Sequence, residues 1–505
     1  MTRFVLRRLA VSSVILLVGS LLMFVLTINA GDPLEDLRES TASNREQLIE
    51  SRIDNMGLDL PWYQRYGQWL TGAAGCIIGQ CDLGTDRAGS DVGALLEQAA
   101  GSTLRLVTIA TFAAIIIGVI VGILTALRQY SGFDYAVTFL AFLFFSLPVF
   151  WAAVLLKEYG AIRYNDWMAD PQISVTQAII IGVVIALILQ AILGGGLRRR
   201  LLTASTSGAF AIIALLVFTN IGWWRNPALG IGLVLIVSTA FAVGITALIT
   251  GIDNRRVLYS TLTTVGVGTI MFFAVGPLLD EPNWLILIGL FISAIVVGLV
   301  VGRLWGGYSR GVAMALSAIT AAFMAFMTAA DRVVYAWAGF LDLKPRPIST
   351  IGSQTPNFGG DFWESTLDLG TQLLLPTMLL TLISVATYSR YTRSSMLETL
   401  NQDYVRTARS KGLSERTVIV KHAFRNALIP ITTIVAFDFA ALISGAVITE
   451  AVFGWKGMGE LFRSGLSHTD PAPVMAFFLV TAIAAIVMNL IADISYAFLD
   501  PRIRR

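Results

Sequence analysis

Residues 388–430 read YSRYTRSSMLETLNQDYVRTARSKGLSERTVIVKHAFRNALIP and lie between two long apolar runs. The stretch is polar and basic in a chain that is otherwise mostly apolar. It has only three acidic residues, Glu398, Asp403 and Glu415. Its eight basic residues are Arg390, Arg393, Arg406, Arg409, Lys411, Arg416, Lys421 and Arg425. A basic segment of this length between apolar runs indicates a surface that a partner contacts outside the membrane.

The composition of the whole chain excludes a soluble enzyme. Of its 505 residues, 55% are hydrophobic and 14% are charged, whereas soluble domains carry about 25% charged residues. The sequence contains no GxxxxGK[ST] nucleotide-binding pattern, no HExxH metal site and no Cys/His cluster. It therefore predicts an integral membrane protein that is not an enzyme and has no nucleotide, metal or cofactor site of its own.

Apolar runs of membrane-spanning length recur along the chain and predict an all-α polytopic fold with about twelve transmembrane helices. Only two of the runs enclose a charged residue, Asp438 in one and Asp493 in the other. The runs cover residues 9–28, 106–127, 135–156, 173–193, 201–222, 228–250, 257–279, 284–302, 311–330, 371–387, 427–449 and 473–498.

The flanking charges predict the orientation of these spans. Arg3, Arg7 and Arg8 precede the first run, and basic residues mark the cytoplasmic side of a membrane protein. With twelve spans, both termini are expected in the cytoplasm. A cleaved signal peptide is the alternative for the first run, but no A-x-A site follows it closely, which favours a retained helix.

Within the basic stretch, the local pattern predicts two helices joined at a glycine. Residues 388–411 contain no Gly or Pro, and Gly412 suits the left-handed position that ends a helix. Ser414 then fits the next N-cap, with Glu415 in the first turn. We expect a rigid lever in which small residues such as Ala408 and Gly412 admit a partner surface. A basic loop on anionic lipid headgroups is the alternative, although it needs neither the glycine nor the caps.

The stretch resembles the cytoplasmic signature loop of ABC-transporter permeases of the dipeptide/oligopeptide family. The broader signature is EAA, three residues, Gly and a more distant Pro. Here Arg406-Thr407-Ala408 stands for EAA, Gly412 for the glycine, and Pro430 follows Gly412 by 18 residues. This spacing and the missing glutamate match the peptide subfamily. The matching segments are TRSSMLE (392–398), DYVRTARSKGLSE (403–415) and HAFRNALIP (422–430).

The resemblance covers most of residues 1–160 and 365–505, with an interruption between them. Family members typically have six spans, whereas this chain has six additional spans where they have an outer loop. Further matching segments are GDP (31–33), GLDLPWYQRYGQWL (57–70), DLG (82–84), SLPVFW (146–151), LLLPTML (373–379), GAVITEAVFGWKGMGELF (445–462) and DPRIR (500–504).

These observations predict four segments. Residues 1–171 form an N-terminal permease core of three transmembrane helices and an extracytoplasmic segment, 29–103. Residues 172–330 are an inserted block of six transmembrane helices, whose role the resemblance does not supply. Residues 331–370 are an extracytoplasmic loop, and residues 371–505 are a C-terminal core that contains a cytoplasmic coupling loop at 388–426.

The resemblance implies the transmembrane subunit of an ATP-driven importer of dipeptides or oligopeptides in a bacterial or archaeal plasma membrane. Its implied partners are a second permease subunit, two ATP-binding subunits that hold ATP and Mg, and an extracytoplasmic substrate-binding protein. Nickel complexes or glutathione are alternative substrates, and a secondary transporter is the rival class. The residues expected to couple to the ATPases are Asp403, Arg406, Ala408, Gly412, Glu415, His422 and Arg425.

Two further features are candidate sites. Asp438 lies in the middle of a span, where an ionisable group is costly and often lines a water-filled path. It is therefore a candidate pathway residue that could meet the ammonium end of a peptide, and the alternative is pairing with a neighbouring helix or the partner permease. Family members usually have an uncharged polar residue there. Cys76 and Cys81 form a candidate disulfide outside the cytoplasm, with two unpaired small residues as the alternative.

Overall fold

The computed structural model describes residues 2–499. By their internal contacts these residues form two compact units, one of residues 2–161, 350–353 and 372–499 and the other of residues 162–349 and 354–371. The four-segment division predicted from the sequence stays a prediction. The terminal segment DPRIR lies outside the described residues.

The first unit begins with seven helices and ends with six more. The first seven are α1 (Thr2–Ile28), α2 (Glu35–Arg38), α3 (Arg45–Met56), α4 (Trp62–Gly75), α5 (Val92–Leu127), α6 (Gly132–Ser146) and α7 (Val149–Lys157).

The second unit contains a short helix, six long ones and another short one. They are α8 (Arg163–Ala169), α9 (Val175–Leu193), α10 (Leu197–Asn220), α11 (Gly230–Ile249), α12 (Arg255–Ala274), α13 (Trp284–Trp305), α14 (Arg310–Tyr335) and α15 (Trp337–Leu343).

One continuous helix, α16 (Phe362–Leu400), starts in the second unit and runs on into the first. Its 39 residues correspond to a length of about 58 Å, nearly twice the roughly 30 Å hydrocarbon core of a bilayer. The helix therefore continues well beyond the membrane. The first unit then adds α17 (Asp403–Ser410), α18 (Glu415–Thr417), α19 (Arg425–Gly445), α20 (Val447–Phe453), α21 (Met458–Ser467) and α22 (Pro471–Leu499).

The predicted all-α polytopic fold is confirmed. Among the described residues, eleven helices are long and apolar enough to span a membrane, and a bent pair raises the number to twelve if it is one span. Local chemistry starts several of these helices. Ser174 and Gln177 form a reciprocal capping box at α9, and Asn283 accepts a hydrogen bond from Ile286 N at the start of α13.

The third predicted span, residues 135–156, is not a straight helix. The helical segments 132–146 and 149–169 meet at an angle of 103°. Pro148 starts the second segment, and the preceding Leu147 is extended, with ψ of 127°. The ring of a proline disfavours helical backbone at the residue before it. Proline therefore breaks a run that hydropathy alone treats as continuous.

The outer loop predicted at 331–370 is irregular over only part of its length. Helix α14 continues to Tyr335, α15 ends at Leu343, and α16 begins at Phe362. Irregular chain remains at 344–361, where the prolines and glycines of this segment are concentrated. Helices α14 and α16 therefore extend past their apolar runs into this segment, and its place outside the cytoplasm stays a prediction.

Candidate functional site

The basic stretch folds around a small core of its own. Val405 and Ala408 on α17 pack against Val418, and the three residues are 0%, 4% and 0% exposed. Burial of these side chains fixes the angle between the two arms of the stretch. Ala408 faces this core, so the expectation that it leaves room for a partner surface is wrong. The exposed side of the turn is formed by other residues.

Gly412 makes the turn between the arms. Its φ is +73°, in the left-handed region that glycine adopts without steric cost. Gly412 N donates to Arg409 O at 2.9 Å, and Leu413 N donates to Ala408 O at 3.4 Å. These two bonds form a Schellman motif, which satisfies carbonyls at the end of α17. A Cβ added at Gly412 would meet nothing within 4 Å, so the space beside it is open.

The second arm begins as the sequence predicts. The Ser414 hydroxyl accepts a hydrogen bond from Thr417 N at 3.4 Å, as an N-cap does. Arg409 closes the turn through two hydrogen bonds to Glu415, Nε to Oε2 at 3.2 Å and Nη2 to Oε1 at 2.7 Å. Both side chains are well exposed, so this pair contributes about 1 kcal/mol or less.

The first arm is interrupted where the sequence predicts a single helix. The continuous helix expected over 388–411 stops at Leu400, and α17 starts at Asp403. Asn401 N and Gln402 N bond to carbonyls three residues back, and Gln402 is extended, with ψ of 150°. Asn401 also bonds Leu397 O through its side chain at 3.0 Å. Asparagine competes in this way with the helical hydrogen bonds. The lever therefore has a second bend.

The second arm is anchored to the membrane-spanning helices. Residues 418–424 form a π-helix that leads into α19. Ala423 and Ala427 pack with Met396 of α16 and Ala126 of α5, all at most 5% exposed. Ser395 Oγ donates to Ala427 O at 3.0 Å. Movement of this arm would therefore be transmitted to α5, α16 and α19.

Two of the eight basic residues are used inside the protein. Arg393 forms two hydrogen bonds with Asp134 at the start of α6, of 2.8 and 2.9 Å. The guanidinium of Arg390 lies 4.5 Å from the ring centroid of Phe145, within cation–π distance. The other basic residues are exposed: Arg406, Arg409, Lys411, Arg416, Lys421 and Arg425. Of the remaining predicted coupling residues, Asp403 is exposed and His422 is half-buried.

Apolar side chains accompany these exposed charges. Tyr404, Leu413 and Val420 are 42%, 41% and 55% exposed. Large apolar side chains among charges on the outside of a folded turn are typical of a surface that binds another protein.

The mid-span carboxylate of Asp438 is held by the neighbouring helix. Ser384 Oγ and Tyr388 Oη of α16 both donate to Asp438 Oδ2, at 2.8 and 2.6 Å. Tyr388 and Ser384 are each 1% exposed. Gly118 on α5 lets Tyr388 pack closely, since a Cβ there would lie 2.7 Å from the tyrosine Cβ. The structure thus forms the interhelical pairing expected as the alternative, and the pathway role stays a prediction.

A buried carboxylate that sequence reasoning did not single out organises residues 445–462. Glu450 is fully buried and accepts hydrogen bonds from Thr103 Oγ1 at 2.5 Å and Gly459 N at 2.7 Å. Burial raises the pKa of its carboxyl to about 6, although these donors oppose the shift. Cβ atoms at Gly457 or Gly459 would collide with this carboxylate. The glycines spaced around a glutamate were the available sequence signal.

Cys76 and Cys81 are joined by a disulfide. The loop that it closes follows α4 and presents Ile77 and Ile78, which are 88% and 75% exposed.

Comparison with known proteins identifies the type of protein to which this geometry belongs. The family described as binding-protein-dependent transport system inner membrane component matches residues 284–505, which include the whole basic stretch. The oligopeptide transport system permease protein OppB of Mycobacterium tuberculosis (strain ATCC 25618 / H37Rv) is 26% identical over 504 residues, covering 100% of this chain and 99% of the relative. Residues 284–505 thus match the family of binding-protein-dependent permeases, and the chain is similar over its whole length to an oligopeptide permease.

Two further relatives match this permease over a shorter part of its length. The oligopeptide transport system permease protein AppB of Bacillus subtilis (strain 168) is 47% identical over 131 residues, 26% of this chain and 42% of the relative. The dipeptide transport system permease protein DppB of Escherichia coli (strain K12) is 41% identical over 138 residues, 27% of this chain and 41% of the relative. The permease is a multi-pass inner-membrane protein.

Proposed function

We propose that this permease is the membrane-spanning subunit of an ATP-driven importer of dipeptides or oligopeptides. It would enclose the pathway together with a second permease subunit and receive substrate from an extracytoplasmic binding protein. Two ATPase subunits, which hold the ATP and Mg, would bind the basic stretch on the cytoplasmic side, where both termini would also lie. The permease itself supplies no catalytic group.

The observation that carries the proposal is the shape of residues 403–424. A loop attracted to lipid headgroups needs charge alone, whereas this segment has a buried core, a Schellman turn and a cap. It presents Leu413 and six exposed basic residues on the outside of a rigid turn. A rigid turn of this kind transmits force from a partner protein, which a flexible loop would absorb.

The route of coupling follows from the anchoring of the arms. A push on the turn at Gly412 reaches α19 through the π-helix and α16 through Ser395 and Met396. Both helices contribute to the hydrogen-bonded group around Asp438. The ATPase contact would thus act on the helices that hold the candidate pathway carboxylate. Asp438 lies 13 residues from the start of α19, which is about 20 Å of helix.

The peptide class of substrate rests on the relatives, whose names specify oligopeptide and dipeptide transport. Asp438 agrees with this class, because a carboxylate attracts the ammonium terminus that every unblocked peptide carries. Nickel complexes and glutathione remain alternative substrates in the test below.

Co-purification with the ATPase subunits tests the docking surface. Leu413→Asp places a charge at the exposed apolar position of the turn, and we expect about tenfold less ATPase bound. The matched control is Ile252→Asp. Ile252 is 57% exposed and follows Gly251, which also has a positive φ in a turn between helices. Equal binding by the two variants would contradict the assignment of the docking surface.

Uptake by the reconstituted complex tests the transport class and the substrate. Vesicles with enclosed ATP and collapsed ion gradients should take up labelled dipeptides and oligopeptides, and unlabelled peptides should compete for uptake. Uptake that needs an ion gradient and ignores ATP would identify a secondary transporter. Competition by nickel complexes or glutathione, without competition by peptides, would replace the proposed substrate class.

A further inference from the structure

The inserted helices enclose an apolar cleft that the transport mechanism does not use. It lies between α12, α13 and α14 and has a volume of about 360 Å³. Its floor includes Ala321 and Met324, which are 6% and 2% exposed. Its rim includes Ile288, Phe291 and Phe326, which are 54%, 45% and 63% exposed. The cleft is therefore open on the outer surface of the spanning helices.

The packing of α13 against α14 explains why a cleft is present. Near one end the two helices are in close contact, since Cβ atoms at Gly298 and Gly302 would lie 2.6 Å from Ser317 O and 2.7 Å from Ala313 O. Toward the other end, three of the α14 residues that line the space are alanines, Ala321, Ala325 and Ala329. Helix α12 does not fill the gap that they leave. At Gly268 this helix has no side chain, and a Cβ there would collide with the sulfur of Met324.

Apart from the indole of Trp284 at one end, the polar side chains of the lining are Thr264, Ser293 and Thr328. Its hydroxyls bond to carbonyls of their own helices: Thr264 to Ser260 O at 2.9 Å, Thr328 to Met324 O at 2.9 Å, and Ser293 to Leu290 O at 2.7 Å. Apolar cavities of this kind exclude water, and a cavity of about 150 Å³ already binds benzene. An occupant of the larger cleft in this permease must be hydrocarbon.

The dimensions select the kind of hydrocarbon. The lining extends along α12 from Thr264 to Val275, which is a rise of about 17 Å. This length matches one leaflet, about half of the roughly 30 Å hydrocarbon core. At the Val275 end lie Trp284, which is part of the lining and 64% exposed, and the ion pair of Arg332 with Asp280 at 3.0 Å. Tryptophan and paired charges are suited to the interfacial region of a bilayer.

We propose that this cleft holds one acyl chain of a membrane phospholipid, with the headgroup near Trp284 and Arg332. The inserted block would then be a lipid-binding module attached to the permease. The surrounding membrane supplies this ligand, and its chain fits a site that has apolar walls, leaflet length and an opening toward the bilayer.

Native mass spectrometry of the full-length chain tests the proposal with dioleoyl phosphatidylethanolamine as the probe. Ala325→Phe and Ala294→Phe each fill part of the cleft. We expect each to retain the lipid about tenfold more weakly than the parent chain, because the phenyl ring occupies space in which the acyl chain would make its packing contacts. Ile292→Phe is the control. Ile292 lies on α13, as Ala294 does, but it is 55% exposed and does not line the cleft.

The outcomes separate the alternatives. Loss of the retained lipid in both filled variants, with the control unchanged and all proteins monodisperse, supports the site. A thermal melt of each filled variant shows whether it is folded. If one of them fails to fold, the other still tests the site. Equal lipid retention by the parent chain and a folded filled variant overturns the proposal. Cross-linking of the Phe291→Cys variant to another protein subunit in the membrane-embedded complex would also overturn the proposal, because a protein helix would then occupy the cleft.

Discussion

Arg393 and Asp134 form a two-bonded ion pair across 259 positions of sequence, with distances of 2.8 and 2.9 Å. The carboxylate also accepts Tyr130 N at 3.0 Å, and its side chain is only 3% exposed. The pair therefore fixes the turn between α5 and α6 to α16, next to the segment proposed to bind the ATPases.

Removing the arginine should destabilise the permease, because Asp134 would be left buried without its counter-ion. We expect Arg393→Gln to cost about 3 kcal/mol of unfolding free energy. A double-mutant cycle with Asp134→Asn, measured by unfolding in detergent, isolates the pair. Arg463→Gln is the control, since its pair with Glu460 has side chains 58% and 37% exposed and should contribute about 1 kcal/mol or less. A coupling energy no larger than that of the control pair would contradict this prediction.

Gly412 should matter for coupling more than for stability. Alanine at a positive φ costs about 1 kcal/mol, so Gly412→Ala and Gly251→Ala should lower the unfolding free energy similarly. Both glycines have open space around them, with φ of +73° and +80°. Only Gly412→Ala should reduce peptide-stimulated ATPase activity and uptake of the complex. Preserved stimulation and uptake in that variant would refute the coupling role.

The sequence predicted those features that depend on neighbouring residues. Gly412 and Ser414 specify their turn locally, so both were assigned from the pattern. The number of spans was also predicted, because each apolar run consists of consecutive residues. Asp134 was missed as a partner of Arg393, because nothing in either segment indicates contact at that distance in sequence. Glu450 was missed because its burial depends on Thr103 from another helix.

Two errors have local physical causes that hydropathy does not detect. At Pro148, the proline ring breaks a continuous apolar run. At Asn401, a side-chain hydrogen bond competes with the helix. Both residue types were visible in the sequence. Their effect depended on whether tertiary contacts stabilised a bend, which a single sequence does not specify.

Asp438→Asn should change substrate preference more than assembly. The amide retains an oxygen that can accept from Tyr388 Oη, so packing of α19 on α16 should persist. It loses the negative charge that would attract a peptide ammonium group. The measurement is competition for uptake across a panel of peptides with free and blocked amino termini. Tyr388→Phe is the control, because it removes the hydrogen bond and keeps the carboxylate. An unchanged panel in Asp438→Asn would remove this residue from the pathway.

Protonation of Glu450 should make stability depend on pH. Burial raises the carboxyl pKa from 4.5 to about 6 in the folded chain, so the folded state binds the proton more tightly than the unfolded state. The resulting stabilisation is complete below pH 4.5 and is lost as the pH rises through about 6. A pKa shift of this size changes the unfolding free energy by about 2 kcal/mol across this pH range.

The Glu450 contribution is measured as the difference between the parent chain and Glu450→Gln, because burial also raises the pKa of Asp470 to about 6. The difference in unfolding free energy should shift by about 2 kcal/mol between pH 4.5 and pH 7, in the direction that favours the parent at the lower pH. The glutamine should also be less stable overall, because its NH₂ group cannot accept the bond from Gly459 N. Glu46→Gln, at an exposed position on α3, should leave the pH profile unchanged. A parent profile parallel to that of Glu450→Gln would show that this carboxyl does not titrate in that range.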